Sequence, residues 1–116
     1  VRLAMPEAPV DQLTRAALEA LLKGPDGWRH VVRDLAREAP DASPLALIFA
    51  LVAAASTIEE FFAPGSPSRP AADHALRLAA ILGTDLYAME ALGLPHATAA
   101  ELTAYWQAHD PYFLTL

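Results

Sequence analysis

The chain of 116 residues contains no cysteine, so it has no disulfide, no thiolate metal ligand and no cysteine nucleophile. The absence of cysteine fits a reducing compartment. The first nine residues lack the apolar run of a signal peptide. No segment supplies the roughly 18 to 20 consecutive apolar residues of a typical membrane span. We therefore expect a cytoplasmic protein that does not enter a membrane.

Positive charge is also scarce, and it is unevenly distributed along the chain. The formal net charge is −6, and residues 41–116 contain only two arginines against eight acidic residues. Residues 1–40 balance their basic and acidic groups. A surface of this kind repels a phosphate backbone. The charge pattern therefore argues against nucleic-acid binding.

Motifs that carry chemistry are missing as well. The sequence has no glycine-rich phosphate loop, no Ser-His-Asp order and no Glu-x-x-His repeat. Its four histidines show none of the close ligand spacings of metal sites. We therefore expect no catalytic residue, no metal and no cofactor, and a protein that is not an enzyme.

Proline, glycine and capping residues divide the chain into helices. Ser43 followed by Pro44 is typical of a helix start, and Thr98 with Glu101 forms a capping-box pattern. No segment has the alternation of a strand. The sequence predicts a single all-α domain over residues 1–116, a compact and mostly antiparallel bundle of about five helices. These are expected at residues 10–23, 27–39, 44–63, 71–92 and 98–109.

The helix expected at 44–63 is unusually apolar, because eleven consecutive residues from Leu45 to Ala55 are hydrophobic. A helix without a polar side is typically buried on all sides. We therefore expect it to be the central helix of the bundle, enclosed by amphipathic neighbours.

The helix expected at 71–92 should pack against that central helix through small residues. A wheel of 100° per residue groups Leu76, Ala79, Ala80, Gly83 and Leu86 on one side. A glycine at position 83 would allow the two helices to approach closely. This pattern predicts that Gly83 contacts the central helix.

Glu59 is the first candidate for a functional polar group. On the helix wheel it falls among apolar residues, and an antiparallel hairpin brings it level with residues 74–77. A carboxylate in such a position requires a partner or a shifted pKa. The simplest prediction is a buried polar pair between Glu59 and Arg77. The alternative is a ligand-binding or enzymatic bundle that uses Glu59.

A second candidate is His74. Residues 74–83, His-Ala-Leu-Arg-Leu-Ala-Ala-Ile-Leu-Gly, resemble the His-x-Leu-Lys-Gly segment of histidine phosphotransfer domains. The resemblance covers ten residues, and Leu78 stands where that family has glycine. It implies a phosphotransfer signalling module that acts through His74.

The C-terminal end concentrates four of the nine aromatic residues: Tyr105, Trp106, Tyr112 and Phe113. A tail this apolar is expected to fold back and close the bundle. The alternative is that these four residues contact a partner, since Trp and Tyr are favoured interface anchors.

These patterns together predict a non-catalytic protein–protein interaction or regulatory module. Its partner would be another protein or a second copy of the chain, with no nucleic acid and no membrane. Phosphotransfer through His74 and ligand binding at Glu59 are the two alternatives.

Overall fold

The computed structural model describes residues 9–116, which form six helices and no strand. This confirms the all-α class. All five predicted helices are present, with ends shifted by up to four residues, and a short sixth helix follows them. The helices are α1 Pro9–Leu21, α2 Val31–Glu38, α3 Pro44–Phe61, α4 Pro70–Ala91, α5 Ala99–Ala108 and α6 Tyr112–Thr115.

Two predicted helix starts are confirmed by their hydrogen bonds. The Ser43 hydroxyl accepts from the backbone N–H of Ala46 at 3.1 Å, and Pro44 occupies the first position of α3. At α5, the Thr98 hydroxyl accepts from the N–H of Glu101 at 3.2 Å. The Glu101 carboxylate accepts in return from the N–H of Thr98 at 3.1 Å. Each start thus satisfies backbone donors that have no intrahelical partner.

The start of α2 differs from its prediction, because the helix begins at Val31 and not at residue 27. Residues 24–30 form successive turns, in which the N–H of Gly27 donates to the carbonyl of Gly24 at 3.1 Å. The backbone of Gly27 lies so close to α1 that a Cβ there would overlap the carbonyl oxygen of Ala20. This close approach to the end of α1 requires glycine. Turns therefore occupy the positions at which the first turn of α2 was expected.

The six helices form two layers. In the first layer, α3 lies between α1 and α4 and packs against both. The second layer consists of α2, α5 and α6, with contacts from α2 to α1 and from α5 to α4. The molecule is only 20 Å thick in its shortest dimension, which corresponds to two packed helices. Exposed apolar residues on α3 and α4 show that each of these two helices has a side open to solvent.

The buried side of α4 differs from the wheel prediction. Ala79 is buried, but Leu76 and Ala80 are exposed, and no atom lies within 4 Å of the position of a Cβ at Gly83. The predicted contact of Gly83 with the central helix is therefore wrong. Both sides of α4 contain apolar residues, so its hydrophobic pattern does not define a unique face. The buried stripe consists of Ala72, Ala75, Leu78, Ala79, Leu82, Asp85 and Met89.

The prediction that α3 is enclosed on all sides is also wrong. Only 39 % of the residues of α3 are buried. Among the described residues, α3 is the one helix long and apolar enough to cross a membrane by length and composition alone. Its uninterrupted apolar run is Leu45 to Ala55, and the expectation that the protein does not enter a membrane stays a prediction. Core helices of soluble proteins meet the same criterion. The apolar composition of α3 thus produces both a buried side and an open one.

The N-terminus of α5 depends on the connection between α2 and α3. The N–H of Ala99 donates to the carbonyl of Ala42 at 2.7 Å, and the N–H of Ala100 donates to the carbonyl of Pro40 at 3.0 Å. The first N–H groups of a helix have no partner within the helix. The loop between α2 and α3 therefore supplies the acceptors that α5 needs.

Candidate functional site

Three large apolar side chains form an open stripe on α3, which we call the α3 face: Leu45, Phe49 and Val52. Their exposed fractions are 65 %, 54 % and 44 %. They follow the i, i+4, i+7 spacing of one helix side, so they lie next to one another. No residue between Pro44 and Ile58 is charged. The α3 face is therefore a continuous, uncharged apolar surface at the centre of the first layer.

The C-terminal aromatic residues mostly lie inside the protein. Trp106 is fully buried, Phe113 is 1 % exposed, and their ring centroids are 5.0 Å apart. Tyr105 is 9 % exposed and Tyr112 is half-buried. The short helix α6 turns back at Pro111 and inserts Phe113 into the core. The prediction that the tail closes the bundle is confirmed, and Trp106 and Phe113 are unavailable as partner contacts.

A buried carboxyl group lies beside this aromatic cluster. Asp85 of α4 is 3 % exposed, and the indole Nε1–H of Trp106 donates to its Oδ2 at 3.0 Å. Removal of a carboxylate from water disfavours its charged form. Burial raises the pKa of Asp85 to about 6, against the opposing effect of the Trp106 hydrogen bond. The nearby carboxyl of Asp110 raises this pKa further.

The surroundings of Asp85 are acidic and aromatic. Asp110 accepts a hydrogen bond from the N–H of Tyr112 at 3.2 Å, which places it at the start of α6. Burial raises the pKa of the Tyr105 phenol, and the negative charges of Asp85 and Asp110 raise it further. The ion pairs found among the described residues do not include Asp85. Asp85 therefore links α4 to α5, but its ionised form lowers the stability of the folded state.

Asp85 makes a structural contact, since the hydrogen bond from Trp106 joins α4 to α5. The larger described cavity, about 330 Å³, is lined by Trp28, His74 and the loops around them. The second, about 230 Å³, is lined by residues including Tyr105 and His109. Asp85 lines neither of them. Within residues 9–116, no group of three His, Cys, Asp or Glu side chains could hold a metal ion.

The predicted pair between Glu59 and Arg77 does not form. Both side chains are exposed, and a guanidinium nitrogen of Arg69 lies 3.8 Å from the Glu59 carboxylate. Arg69 also donates to the carbonyl of Phe62 at 2.9 Å, at the C-terminus of α3. The last carbonyls of a helix lack intrahelical donors and attract cations. This interaction holds Arg69 next to Glu59, whereas Arg77 lies eight residues, about two helical turns, further along the chain.

His74 occupies the second turn of α4, and its ring stacks on Trp28. The ring centroids are 4.8 Å apart and the planes differ by 6°. One side of the imidazole is therefore covered by the indole, while the guanidinium of Arg29 lies 4.7 Å from the centroid of Trp28. Phosphotransfer through His74 stays a prediction, since no observation in the structure tests it.

Asp85 and the α3 face escaped the sequence analysis for different reasons. Asp85 lies in the buried stripe of α4 with Leu78, Leu82 and Met89. A search for apolar periodicity does not find it, because aspartate is polar. A buried indole N–H needs an acceptor. An acidic residue on an apolar stripe could therefore have been predicted as the acceptor for Trp106. The α3 face left no signal, because a uniformly apolar helix has no preferred side.

Comparisons of this chain with protein-family models, with curated proteins and with solved structures find no match. The geometry of the described residues is therefore the basis for assigning a function.

Proposed function

We propose that this protein is a non-catalytic protein-interaction module that binds its partner through the α3 face. The observation that supports this proposal is the exposure of Leu45, Phe49 and Val52 on one side of a helix at the centre of a layer. Single exposed apolar residues are common on protein surfaces, but contiguous apolar patches mark interaction sites.

The spacing of the three side chains also suits a protein partner. Anchors at i, i+4 and i+7 are typical of helix-mediated recognition, in which one apolar helix side packs against another element. Phe49 lies at the centre of the stripe, where an aromatic anchor contributes most to binding. Two apolar neighbours, Leu45 and Val52, extend the contact by one turn in each direction.

Charge distinguishes a protein partner from a lipid surface. The chain carries a formal net charge of −6, which disfavours approach to the anionic headgroups of a cytoplasmic leaflet. The α3 face contains no basic residue that could compensate. An apolar protein surface is therefore the favoured occupant.

Site-specific photo-crosslinking in cells tests this proposal. The full chain would carry a photoreactive phenylalanine analogue at position 49, and its adducts would be identified by mass spectrometry. Binding of each identified and purified partner would then be measured with wild type and with Val52→Asp. We expect Val52→Asp to weaken binding by at least about 30-fold, since a charge would be buried in an apolar contact.

A matched control uses Leu92, which is 60 % exposed at the end of α4, outside the α3 face. The analogue at position 92 should give no equivalent adduct, and Leu92→Asp should leave the affinity unchanged. The absence of any protein adduct at position 49 would overturn the proposal. So would an affinity that Val52→Asp does not alter, or attachment of the protein to lipid vesicles that Phe49→Asp abolishes.

A further inference from the structure

We propose that the cavity between the end of α1 and the start of α4, which we call the Trp28 cavity, binds a small uncharged heteroaromatic compound. Its walls are formed by residues that follow α1, including Trp28, and by residues at the start of α4, including His74. The three side chains of the α3 face do not line it. This inference therefore goes beyond the proposed function and concerns a separate site.

The volume of the Trp28 cavity suits a small ligand. The cavity measures about 330 Å³, and ligand pockets of proteins range from about 300 to 1,000 Å³. A pocket at the lower end of this range fits a compound of one or two rings. Leu21 belongs to the hydrophobic core and also lines the cavity, so the cavity extends from the surface to the core.

Ring side chains form most of the apolar wall of the Trp28 cavity. The indole of Trp28 and the pyrrolidines of Pro25, Pro67 and Pro70 line it. The imidazole of His74 lies almost parallel to the indole, with 4.8 Å between the ring centroids. Aromatic rings pack favourably against other rings in offset stacks or edge to face. A rigid planar ligand would therefore contact more of this wall than a flexible chain would.

The wall of the Trp28 cavity also restricts the charge of the ligand. If histidine is counted as neutral, no charged residue of the described chain lines the cavity. Lys23 is exposed and lies outside the wall, and Arg29 is paired with Asp26 at 3.1 Å. A phosphate or an ammonium group would lose its hydration in the cavity without gaining a partner of opposite charge. The ligand is therefore uncharged.

Three polar side chains of the wall favour a heteroaromatic ligand over a hydrocarbon. Within residues 9–116, no hydrogen bond is made by the indole N–H of Trp28, the hydroxyl of Ser68 or the imidazole of His74. A hydrocarbon that displaced water from these groups would leave them unpaired, which costs free energy. A neutral imidazole has one donor and one acceptor, so it can pair with a polar ring atom of either kind. We assign His74 as the partner of that atom.

Hydrogen bonds hold both walls of the Trp28 cavity in place. On the α1 side, the backbone of Gly27 lies against the carbonyl of Ala20, and its N–H donates to the carbonyl of Gly24 at 3.1 Å. On the α4 side, the N–H of Ser68 donates to the hydroxyl of Ser66 at 3.3 Å. Walls that are already ordered lose little conformational entropy when a ligand binds. The cavity is therefore preformed for its ligand.

Nuclear magnetic resonance of the isotope-labelled full chain, titrated with indole, tests this site. Indole is an uncharged heteroaromatic compound, and the two tryptophans of the chain give two indole N–H signals that Trp28→Phe assigns. We expect the Trp28 signal to shift with a dissociation constant on the order of 0.1 to 1 mM, as suits a ligand of this size. The Trp106 signal should not move, because this indole is fully buried and donates to Asp85.

Indene, which has the shape of indole without its nitrogen, tests the polar contact. We expect indene to bind at least about 5-fold more weakly than indole, although it is the more hydrophobic compound, since it leaves His74 unpaired. This preference should disappear in His74→Phe, which keeps a ring beside Trp28 but removes the imidazole nitrogens. Indole-3-carboxylate should bind at least about 10-fold more weakly than indole, because its charge would lack a partner.

Ala71→Leu tests whether indole occupies the Trp28 cavity. Ala71 is a half-buried residue of the wall, so a larger side chain there would fill space that the ligand needs. The affinity for indole should fall by at least about 10-fold. Ala80→Leu provides the control, because Ala80 is exposed on the same helix outside the cavity, and it should leave the affinity unchanged. Circular dichroism of each variant verifies that the helices are retained.

Each result supports or overturns a specific part of the proposal. A Trp28 signal of the wild-type chain that does not respond to indole would overturn the binding site, whether or not the variants fold. Indene or indole-3-carboxylate that binds as tightly as indole would overturn the assigned class of ligand. A preference for indole that persists in His74→Phe would overturn the role of His74. Binding that Ala71→Leu does not weaken would place indole outside the Trp28 cavity and overturn the site.

Discussion

Replacement of Asp85 by asparagine should stabilise the folded protein at neutral pH. Burial raises the pKa of this carboxyl from an ordinary value of 3.8 to about 6. The carboxyl of Asp85 therefore holds its proton more tightly in the folded state than in the unfolded chain. The free energy of unfolding therefore falls as the pH rises from about 4 to about 6, and stays lowered above this range.

The magnitude follows from the size of the pKa shift. Two pKa units correspond to about 3 kcal/mol, since each unit contributes about 1.4 kcal/mol. Asp85 is 3 % exposed, so solvent screening does little to reduce this value. An asparagine retains a carbonyl oxygen that can accept the indole N–H of Trp106, and its amide can donate to Asp110. Asp85→Asn should therefore be more stable than wild type by up to about 3 kcal/mol above pH 6.

Urea unfolding of wild type and Asp85→Asn across this pH range measures the effect. The stability difference should be largest near pH 7.5 and should vanish near pH 4, where the aspartic acid is protonated. Asp41→Asn provides a control, because Asp41 is an exposed carboxylate in a loop. An Asp85→Asn variant that is less stable than wild type at neutral pH, with a difference independent of pH, would refute the reasoning.

The remaining predictions concern packing and helix ends. Gly83→Ala should raise the free energy of unfolding by about 0.5 to 1 kcal/mol at high dilution, since alanine favours the helix and the space is open; an unchanged urea midpoint would contradict this. Gly27→Ala should lower it, because the new Cβ meets the carbonyl oxygen of Ala20; a variant as stable as wild type would show that the turn can shift. Thr98→Ala should cost about 1 kcal/mol by thermal unfolding, whereas Thr103→Ala within the same helix should change stability by less than about 0.5 kcal/mol; equal effects would exclude the cap as the cause. Phe113→Ala should cost about 3 to 5 kcal/mol with loss of tryptophan near-ultraviolet dichroism, because it opens a cavity beside Trp106; a smaller cost would mean that α6 is dispensable.

Helix ends were predictable from sequence because they depend on local chemistry. Ser43 with Pro44, and Thr98 with Glu101, satisfy backbone donors within three or four residues, so the pattern alone identifies them. The start of α2 was not predictable in this way. It depends on the approach of Gly27 to Ala20, which only the packing of α1 reveals.

The direction in which each helix side faces was harder to predict. A helix wheel compares the two sides of a helix, and on α3 both are apolar, so the open stripe at Leu45, Phe49 and Val52 could not be distinguished from the buried one. The partner of Glu59 depended on a carbonyl at the end of α3 that attracts Arg69. Such contacts between distant residues depend on tertiary packing and cannot be read from spacing.

The hydrogen bonds from Ala99 and Ala100 to the α2–α3 loop have a consequence for how the chain tolerates change. Surface loops usually accept insertions, since lengthening them costs little entropy. Residues 40–42 are an exception, because an added residue there would move the carbonyls of Pro40 and Ala42 away from the start of α5. The loop at residues 62–69 contains no acceptor for a distant helix start in the described structure. A peptide tag or a sensor domain would therefore be accommodated between α3 and α4. The same insertion between α2 and α3 would remove the acceptors of the first N–H groups of α5 and displace this helix with its buried Trp106.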